Sequence, residues 1–150
     1  MTSSPEERLL DLLRRLRRSG SAFPPIQDLP VTPPQLMLLS WIAEHAGCRV
    51  YDVAAGLGLT PPTVSVSLRR LEQLGLLRRE PDPNDKRALR LFLTPAGQDL
   101  HHRIQAFQQE HARRFLANLT PDEQETLLTL WARALEAIED TTPTPPSQTD

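Results

Sequence analysis

Apolar side chains recur at intervals of three and four along most of the chain, which is the spacing of one face of an α-helix. This pattern predicts a first helix over residues 5–18, a second from Pro33 to about Ala46, and a very short third over residues 50–57. Thr32 is the predicted N-cap of the second helix, because threonine accepts a hydrogen bond from the first turn and the following proline fits the first helical position. The N-terminal third of the chain is therefore predicted to be mainly helical.

A fourth helix is predicted to begin almost directly after the third. Only Gly58 and Leu59 separate the third helix from Thr60, which can cap the new helix. A tight, glycine-containing connection between two short helices is typical of a helix-turn-helix, and glycine suits a turn that needs a positive φ angle. Apolar residues spaced four and then three positions apart predict the buried face of the fourth helix: Val64, Leu68 and Leu71.

After Gly75 the spacing of apolar residues changes from helical to alternating. Proline, aspartate and asparagine cluster over residues 81–85, as they do in turns. The pattern predicts two strands joined by this turn-rich tip, with the second strand ending at Leu93.

Two long helices are predicted for the last third of the chain. One begins at Thr94 and runs to about Asn118, and the other begins with a capping box between Thr120 and Glu123. Residues 141–150 are dominated by proline, threonine and serine, so this tail is predicted to be disordered.

Composition places the chain among single-domain globular proteins. Its 150 residues fit one folding unit, and its 39% hydrophobic and 24% charged content is ordinary for that class. No apolar run approaches the roughly 18 residues of a membrane span. The acidic N-terminus lacks the features of a secretory signal, and the single Cys48 excludes an intrachain disulfide. We therefore expect one domain over residues 1–150, located in the cytoplasm and not in a membrane.

The net charge of −2 hides an uneven distribution. Residues 49–90 carry eight basic side chains against five acidic ones, whereas residues 91–150 carry four arginines against nine acidic side chains. Positive charge is thus concentrated around the predicted helix-turn-helix and hairpin. Because a phosphate-facing surface needs this kind of concentration, the pattern favours nucleic acid as the partner.

The most specific stretch runs from Leu57 to Gly97 and reads LGLTPPTVSVSLRRLEQLGLLRREPDPNDKRALRLFLTPAG. It resembles the MarR family of bacterial transcription regulators in its recognition helix, its D-R-R type wing and its L-T-x-x-G start of the next helix. The resemblance implies a mainly α fold with a winged helix-turn-helix lobe over residues 33–93 and a small β-hairpin wing. It also implies that helices over residues 5–18 and 95–140 form a dimerisation region.

The function implied by this resemblance is sequence-specific binding of double-stranded DNA. The expected protein is a homodimeric repressor on a pseudo-palindromic operator, modulated by a small-molecule effector. Leucine-rich faces on helices at both ends of the chain have no large sheet to cover, which independently favours an isologous dimer. Its two recognition helices would then lie about one DNA turn apart.

The fourth helix is the element predicted to read bases. With its apolar face turned inward, its remaining side chains point outward or flank, as on a helix that enters the major groove. Arg69 and Gln73 can donate to base edges, and Val66 can touch a thymine methyl group. The predicted DNA-binding residues here are Thr60, Pro62, Thr63, Ser65, Val66, Arg69, Arg70 and Gln73.

The predicted wing tip carries Asp85, Lys86 and Arg87, which is similar to the D-R-R of the family with lysine in place of the first arginine. The resemblance implies that Arg87 enters the minor groove, where it responds to groove width and potential rather than to base identity. Lys86 is predicted to contact phosphate, because lysine is a looser donor than arginine. Asp85 is predicted to brace a neighbouring basic side chain.

The resemblance also implies a small-molecule pocket between the dimer helices and the DNA-binding lobe. Phe23, Trp41 and Tyr51 are the aromatic residues predicted to line it. The alternative is that each of the three is simply a packed aromatic side chain.

Other chemistry has less support in the sequence. The chain contains no G-x-S-x-G, phosphate-loop or H-E-x-x-H motif and no plausible paired acid site, so we expect neither an enzyme nor a cofactor. His45 lies three residues from Cys48, and the fifth helix carries further histidines at His101, His102 and His111. Neither spacing matches a compact zinc site, so no metal is predicted.

Two alternative functions remain open at this point. One is a metal-responsive regulator of the same fold, or a redox-responsive one acting through Cys48, which would need an accessible thiol with a lowered pKa. The other is a winged-helix protein-interaction module that makes no contact with DNA.

Overall fold

The computed structural model describes residues 3–20, 23–24, 26 and 28–139. The predicted tail over residues 141–150 lies outside the described residues. Within the described part, helices and strands follow in this order: α1 (Pro5–Arg18), α2 (Pro33–Glu44), α3 (Val50–Leu57), α4 (Pro61–Gln73), β1 (Leu77–Pro81), β2 (Leu89–Leu93), α5 (Pro95–Leu116) and α6 (Pro121–Glu139). The predicted mainly α fold with one β-hairpin is confirmed.

A hydroxyl side chain followed by proline starts five of the helices in the described part of the chain. The hydroxyl oxygen accepts a hydrogen bond from the backbone N–H three residues on, which satisfies a donor that the first turn leaves without a partner. The proline has no N–H to satisfy, and its fixed φ suits the first helical position. The capping residues are Ser4, Thr32, Thr60, Thr94 and Thr120.

Two helix ends differ slightly from the sequence-based prediction. The second helix ends at Glu44 rather than near Ala46, because His45 leaves the helical conformation with φ −128° and ψ 54°. The fifth helix ends at Leu116 rather than near Asn118. Neither change moves a side chain that was predicted to contact DNA.

The hydrophobic core lies between α2, α3, α4, the hairpin and the first half of α5. Its largest fully buried side chains are Leu36, Leu38, Leu39, Ile42, Val53, Val64, Leu68, Leu71, Leu76, Leu91, Leu100 and Ile104. Val64, Leu68 and Leu71 are 0% exposed, which confirms the predicted inner face of α4. Each buried aliphatic side chain of this kind contributes roughly 1.5–3 kcal/mol, so the orientation of α4 is firmly set.

The second strand of the hairpin is held by the loop between α2 and α3. The two strands pair in antiparallel register, with Leu77 opposite Leu93. The N–H of Leu91 donates to the carbonyl of Cys48 at 2.8 Å, and the N–H of Gly47 donates to the carbonyl of Leu91 at 2.8 Å. This short antiparallel bridge fixes the wing to the helix-turn-helix.

The helices at the two ends of the chain lie outside this core: neither α1 nor α6 has a buried residue. Their exposed apolar side chains are Leu9, Leu10, Leu12, Leu13 and Leu16 in α1, and Leu128, Leu130, Trp131, Leu135 and Ile138 in α6. Exposed apolar side chains grouped on two helices in this way are typical of surfaces that bind a partner. None of the described helices is both long enough and apolar enough to cross a bilayer.

Candidate nucleic-acid interface

The outward face of α4 carries the side chains that the sequence predicts to contact DNA. Of the eight, Ser65 is half-buried. The other seven are exposed: Thr60, Pro62, Thr63, Val66, Arg69, Arg70 and Gln73. The turn before α4 runs through Gly58 at φ 65° and ψ 33°, which confirms the predicted positive φ. Because the opposite face of α4 is locked into the core, this polar face is held outward.

The first turn of α4 is organised by two threonines. Thr60 Oγ1 accepts a hydrogen bond from the N–H of Thr63 at 3.4 Å, and the two hydroxyl oxygens lie 2.8 Å apart. That hydroxyl pair uses only one of its two hydrogens, so the other can be donated to a phosphate oxygen. Thr60 therefore has a structural role as the helix cap in addition to the DNA contact predicted for it.

The far end of α4 is tied to the first wing strand. Arg79 donates through Nε to Oε1 of Glu72 at 2.9 Å. Its neighbour Arg78 pairs with Glu80 and lies 4.7 Å from the ring centre of Phe92. These two arginines are thus engaged within the molecule.

Among residues 49–90, four basic side chains make neither an ion pair nor a hydrogen bond with any described residue: Arg69, Arg70, Lys86 and Arg87. They lie on the outward face of α4 and at the wing tip. The basic side chains that lack both kinds of partner are therefore found where the sequence predicts contact with phosphate and base edges. Arg90 also makes no ion pair, but it donates to the carbonyl of Gly47 at 3.1 Å.

At the wing tip, Asp85 braces its neighbours through the backbone. Its Oδ1 accepts a hydrogen bond from the N–H of Arg87 at 3.0 Å, and its carbonyl accepts one from the N–H of Ala88 at 3.0 Å. Its Oδ2 also lies 4.0 Å from Nη1 of Arg49. The carboxylate thus holds the main chain of Arg87 and leaves the guanidinium of that residue unpaired.

An ion pair that the sequence did not reveal joins Arg49 to Asp82. Nη2 of Arg49 donates to Oδ2 of Asp82 at 2.8 Å, across 33 positions of sequence. Oδ1 of the same carboxylate accepts a hydrogen bond from the N–H of Asn84 at 2.9 Å. The pKa of Asp82 is lowered, first by this backbone N–H and then by the Arg49 guanidinium. The Asp-Pro-Asn sequence at the tip is a local sign of such a turn, but nothing local points to Arg49.

The three aromatic residues predicted to bind a ligand lie in different surroundings. Phe23 and Trp41 are partly buried against the core, and the Trp41 ring stacks on His45 at 3.9 Å. Tyr51, at the start of α3, is 75% exposed. Two cavities of the described residues lie along α5, and none of the three aromatic residues lines either of them. Their role in ligand binding stays a prediction.

The surroundings of Cys48 do not suit a redox sensor. The residue is buried, and burial raises the pKa of its thiol to about 11, so the thiol is protonated near neutral pH. A reactive cysteine needs both access and a lowered pKa.

Among the described residues, no three histidine, cysteine or acidic side chains lie close enough together to hold a metal ion. The metal- and redox-responsive alternatives therefore gain no support.

Comparison with known proteins agrees with this geometry. A model described as the MarR family matches residues 29–88. The transcriptional regulator HosA of Escherichia coli O111:H- is 31% identical over 111 residues, which are 73% of this chain and 82% of HosA. The chain belongs to the MarR family. It is a DNA-binding transcription regulator of that family and not an enzyme, as the sequence predicted.

Further likenesses of this MarR-family chain extend over most of its length. The repressor MdtR of Bacillus subtilis strain 168 is 29% identical over 73% of this chain and 70% of MdtR. The crystal structure of Streptococcus pneumoniae FabT in complex with DNA has a TM-score of 0.76 at 19% identity, covering 91% of this chain and 96% of that chain. The regulator PcaV of Streptomyces coelicolor, solved with its natural ligand, has a TM-score of 0.65 at 26% identity, covering 92% and 99%. The winged-helix fold is thereby confirmed.

Proposed function

We propose that this MarR-family regulator is a homodimeric repressor that reads a pseudo-palindromic operator with α4 and the wing. One observation carries the proposal: the unpaired basic side chains of the lobe lie on the exposed face of α4 and at the tip of the adjoining hairpin. Charge left unpaired at these two places suits a duplex, which offers base edges in one groove and phosphates beside the next.

In the major groove, α4 supplies donors and one apolar contact. Arg69 suits the paired acceptors of guanine, and Gln73 suits adenine, because each side chain can make two hydrogen bonds to one base edge. Val66 is 66% exposed, which is unusual for valine and fits contact with a thymine methyl group. Short hydroxyl and basic side chains of the same helix bind the flanking phosphates: Thr60, Thr63, Ser65 and Arg70.

At the wing, Arg87 enters the minor groove and Lys86 binds phosphate. Asp85 fixes the backbone N–H of Arg87 at 3.0 Å, so the direction in which this side chain leaves the wing is constrained. An arginine in a narrow minor groove responds to the negative potential there and so reads shape rather than base identity.

The second copy of the chain covers the apolar faces of α1 and α6. A groove of about 590 Å³ between α1, α5 and α6 adds to this exposed apolar surface. Its apolar lining is Leu16, Ala112, Phe115, Leu116, Leu127, Leu128 and Trp131. An isologous contact through these helices relates the two lobes by a twofold axis, as a pseudo-palindrome requires.

Repression and its control by a small molecule complete the proposal. Support comes from MdtR, which is named a repressor, and from PcaV, which was solved with its natural ligand. An effector that weakens operator binding must bind free protein more tightly than DNA-bound protein, because the coupling between two sites is reciprocal.

Fluorescence anisotropy on duplexes from the upstream region of the chain's own gene tests the proposal. We expect specific binding that weakens steeply as salt rises from about 50 to about 200 mM, because phosphate contacts release counterions. Arg69→Ala and Arg87→Ala should each weaken binding, whereas Arg113→Ala, an exposed arginine on α5, should not. Equal affinity for unrelated duplexes, or no effect of either variant, would contradict the proposal.

A further inference from the structure

We propose that Arg49 is a positioning residue for the wing, which it holds through Asp82 so that Arg87 reaches DNA, and that Arg49 itself does not contact the duplex. This inference rests on the proposed function, since it requires the wing to contact DNA. It adds a residue outside both the recognition helix and the wing to those that determine operator affinity.

Arg49 lies where it can connect two parts of the lobe. It is the N-cap residue of α3, and its backbone N–H donates to Oδ2 of Asp52 at 2.8 Å, which fixes its main chain in the first turn of that helix. Its guanidinium leaves the helix and reaches Asp82, directly after β1. The side chain thus spans from the helix-turn-helix to the turn that carries the wing tip.

Asp82 is the wing residue that accepts the hydrogen bond from Arg49. Its side chain is only 9% exposed, and both carboxylate oxygens are engaged: Oδ2 by Arg49 and Oδ1 by the N–H of Asn84. Its own N–H donates to the carbonyl of Ala88 at 3.0 Å, across the base of the turn. A nearly buried carboxylate that lost Arg49 would have to move outward to be hydrated, because an unpaired buried charge is costly. The turn, with Lys86 and Arg87, would move with it.

The other attachments of the hairpin lie nearer its strands and do not replace this one. The N–H of Leu91 and the carbonyl of Cys48 pair at 2.8 Å, and Nε of Arg90 donates to the carbonyl of Gly47 at 3.1 Å. These contacts fix β2. Among the hydrogen bonds and ion pairs of the described side chains, only those of the Arg49 guanidinium join the turn over residues 82–88 to the helix-turn-helix.

The charges around Arg49 also argue against direct phosphate contact. Asp82 lies at 2.8 Å and Asp85 at 4.0 Å, so two carboxylates face one guanidinium. These acids, with Asp82 first, raise the pKa of Arg49. Arg87, by contrast, has no acidic partner among the described residues. The charge of the Arg49 guanidinium is therefore already balanced by carboxylates of the wing, which makes it a weaker site for a phosphate than the guanidinium of Arg87.

The decisive variant is Asp82→Asn, because the two roles of Arg49 predict opposite signs. Removing a negative charge close to DNA should tighten binding if only electrostatics matter. If Asp82 holds the wing through Arg49, binding should instead weaken, by about tenfold for a coupled network of this kind. The matched control is Glu80→Gln, which removes one negative charge from the same wing without touching Arg49 and should bind equally or more tightly.

Double variants separate positioning from direct contact. Arg49→Met should weaken operator binding about tenfold in the natural protein but by about twofold or less in an Arg87→Ala background, because its effect passes through Arg87. Arg49→Lys should recover part of the loss, since it restores a cation to Asp82. Thermal unfolding of each variant checks that the fold is retained, and if Arg49→Met fails to fold, Asp82→Asn and Arg49→Lys decide the question.

Two results would overturn the inference. One is Asp82→Asn binding as tightly as the natural protein or more tightly, and the other is additive losses for Arg49→Met and Arg87→Ala, as expected for two independent DNA contacts. If Arg87→Ala alone leaves affinity and its salt dependence unchanged, the proposed wing contact itself is wrong. The two failures are therefore distinguishable in one set of titrations.

Discussion

The α-carbon of Gly97 packs against the carbonyl group of Leu76, so closely that a β-carbon at this position would overlap the carbonyl oxygen. It would also lie 3.1 Å from the carbonyl carbon of Leu76 and 3.2 Å from Cβ of Leu93. The same corner is closed by Thr94, whose N–H donates to the carbonyl of Leu76 at 3.1 Å and whose hydroxyl donates to the carbonyl of Gly75 at 2.5 Å. The start of α5 is thereby locked to the base of the wing.

Gly97→Ala should destabilise the fold strongly. The colliding atom belongs to the backbone and cannot rotate away, so the cost should be at the upper end of the roughly 1–3 kcal/mol typical of overpacking. The free energy of unfolding in urea measures it. Gln105→Ala, at an exposed position of the same helix, is the control and should change stability by about 0.5 kcal/mol or less. Equal stability of the two variants would contradict the close packing at this corner.

Arg69→Ala should relax specificity as well as reduce affinity. Loss of a bidentate contact to one base costs about 1–3 kcal/mol and removes discrimination at that position alone. Titration of operators with single base changes in each half-site would locate the affected base pair. Arg113→Ala serves as the control for loss of an exposed arginine. If Arg69→Ala lowers affinity equally for every sequence, Arg69 binds phosphate and does not read a base.

Acid should remove the stabilisation that Asp82 provides. The pKa of Asp82 is lower in the folded protein than in the unfolded chain, because the Asn84 N–H and the Arg49 guanidinium favour the carboxylate. Its contribution is therefore complete above the unfolded pKa of about 3.9 and is lost as the pH falls through the folded pKa. Urea unfolding of the natural protein and of Asp82→Asn should differ by a constant amount near neutral pH and converge below about pH 4. A difference that persists unchanged in stronger acid would contradict this assignment.

A charge placed on the apolar face of α6 should separate the subunits. Leu128 lines the groove between α1, α5 and α6 and is half exposed in the single chain. Leu128→Glu should give a monomer in analytical ultracentrifugation and weaken operator binding. Thr129→Glu makes the same charge change at the next exposed position of the same helix and should leave a dimer. A monomeric natural protein, or a dimer that tolerates Leu128→Glu, would contradict the proposed interface.

Features determined within a few residues could be predicted from the sequence. The helix starts follow from Ser-Pro and Thr-Pro pairs, and the turn into α4 follows from Gly58. The buried face of α4 follows from the spacing of Val64, Leu68 and Leu71. Because the opposite face must then point outward, the exposed polar side chains of the candidate interface were also predictable.

Features that depend on tertiary approach could not be predicted in this way. Arg49 and Asp82 are 33 positions apart, and only the folded wing brings them together. Asp85 was predicted to brace a neighbouring basic side chain, but the sequence did not show that its Oδ1 would accept a hydrogen bond from the backbone N–H of Arg87 or that its Oδ2 would lie near Arg49. The exposure of Tyr51 depends on how α3 packs against α4 and the hairpin, which the sequence does not show. Its place in a ligand pocket, which the family resemblance implies, stays a prediction.

Nuclease protection of an operator-containing duplex would show whether α4 and the wing recognise DNA. We expect two protected half-sites related by inverted symmetry, with centres about 10 base pairs apart or a multiple of that spacing. The flanking minor-groove protection should be lost in Arg87→Ala, and the whole footprint should be lost in Arg69→Ala at the same protein concentration. A footprint without twofold symmetry, or one that both variants leave intact, would contradict DNA recognition by α4 and the wing.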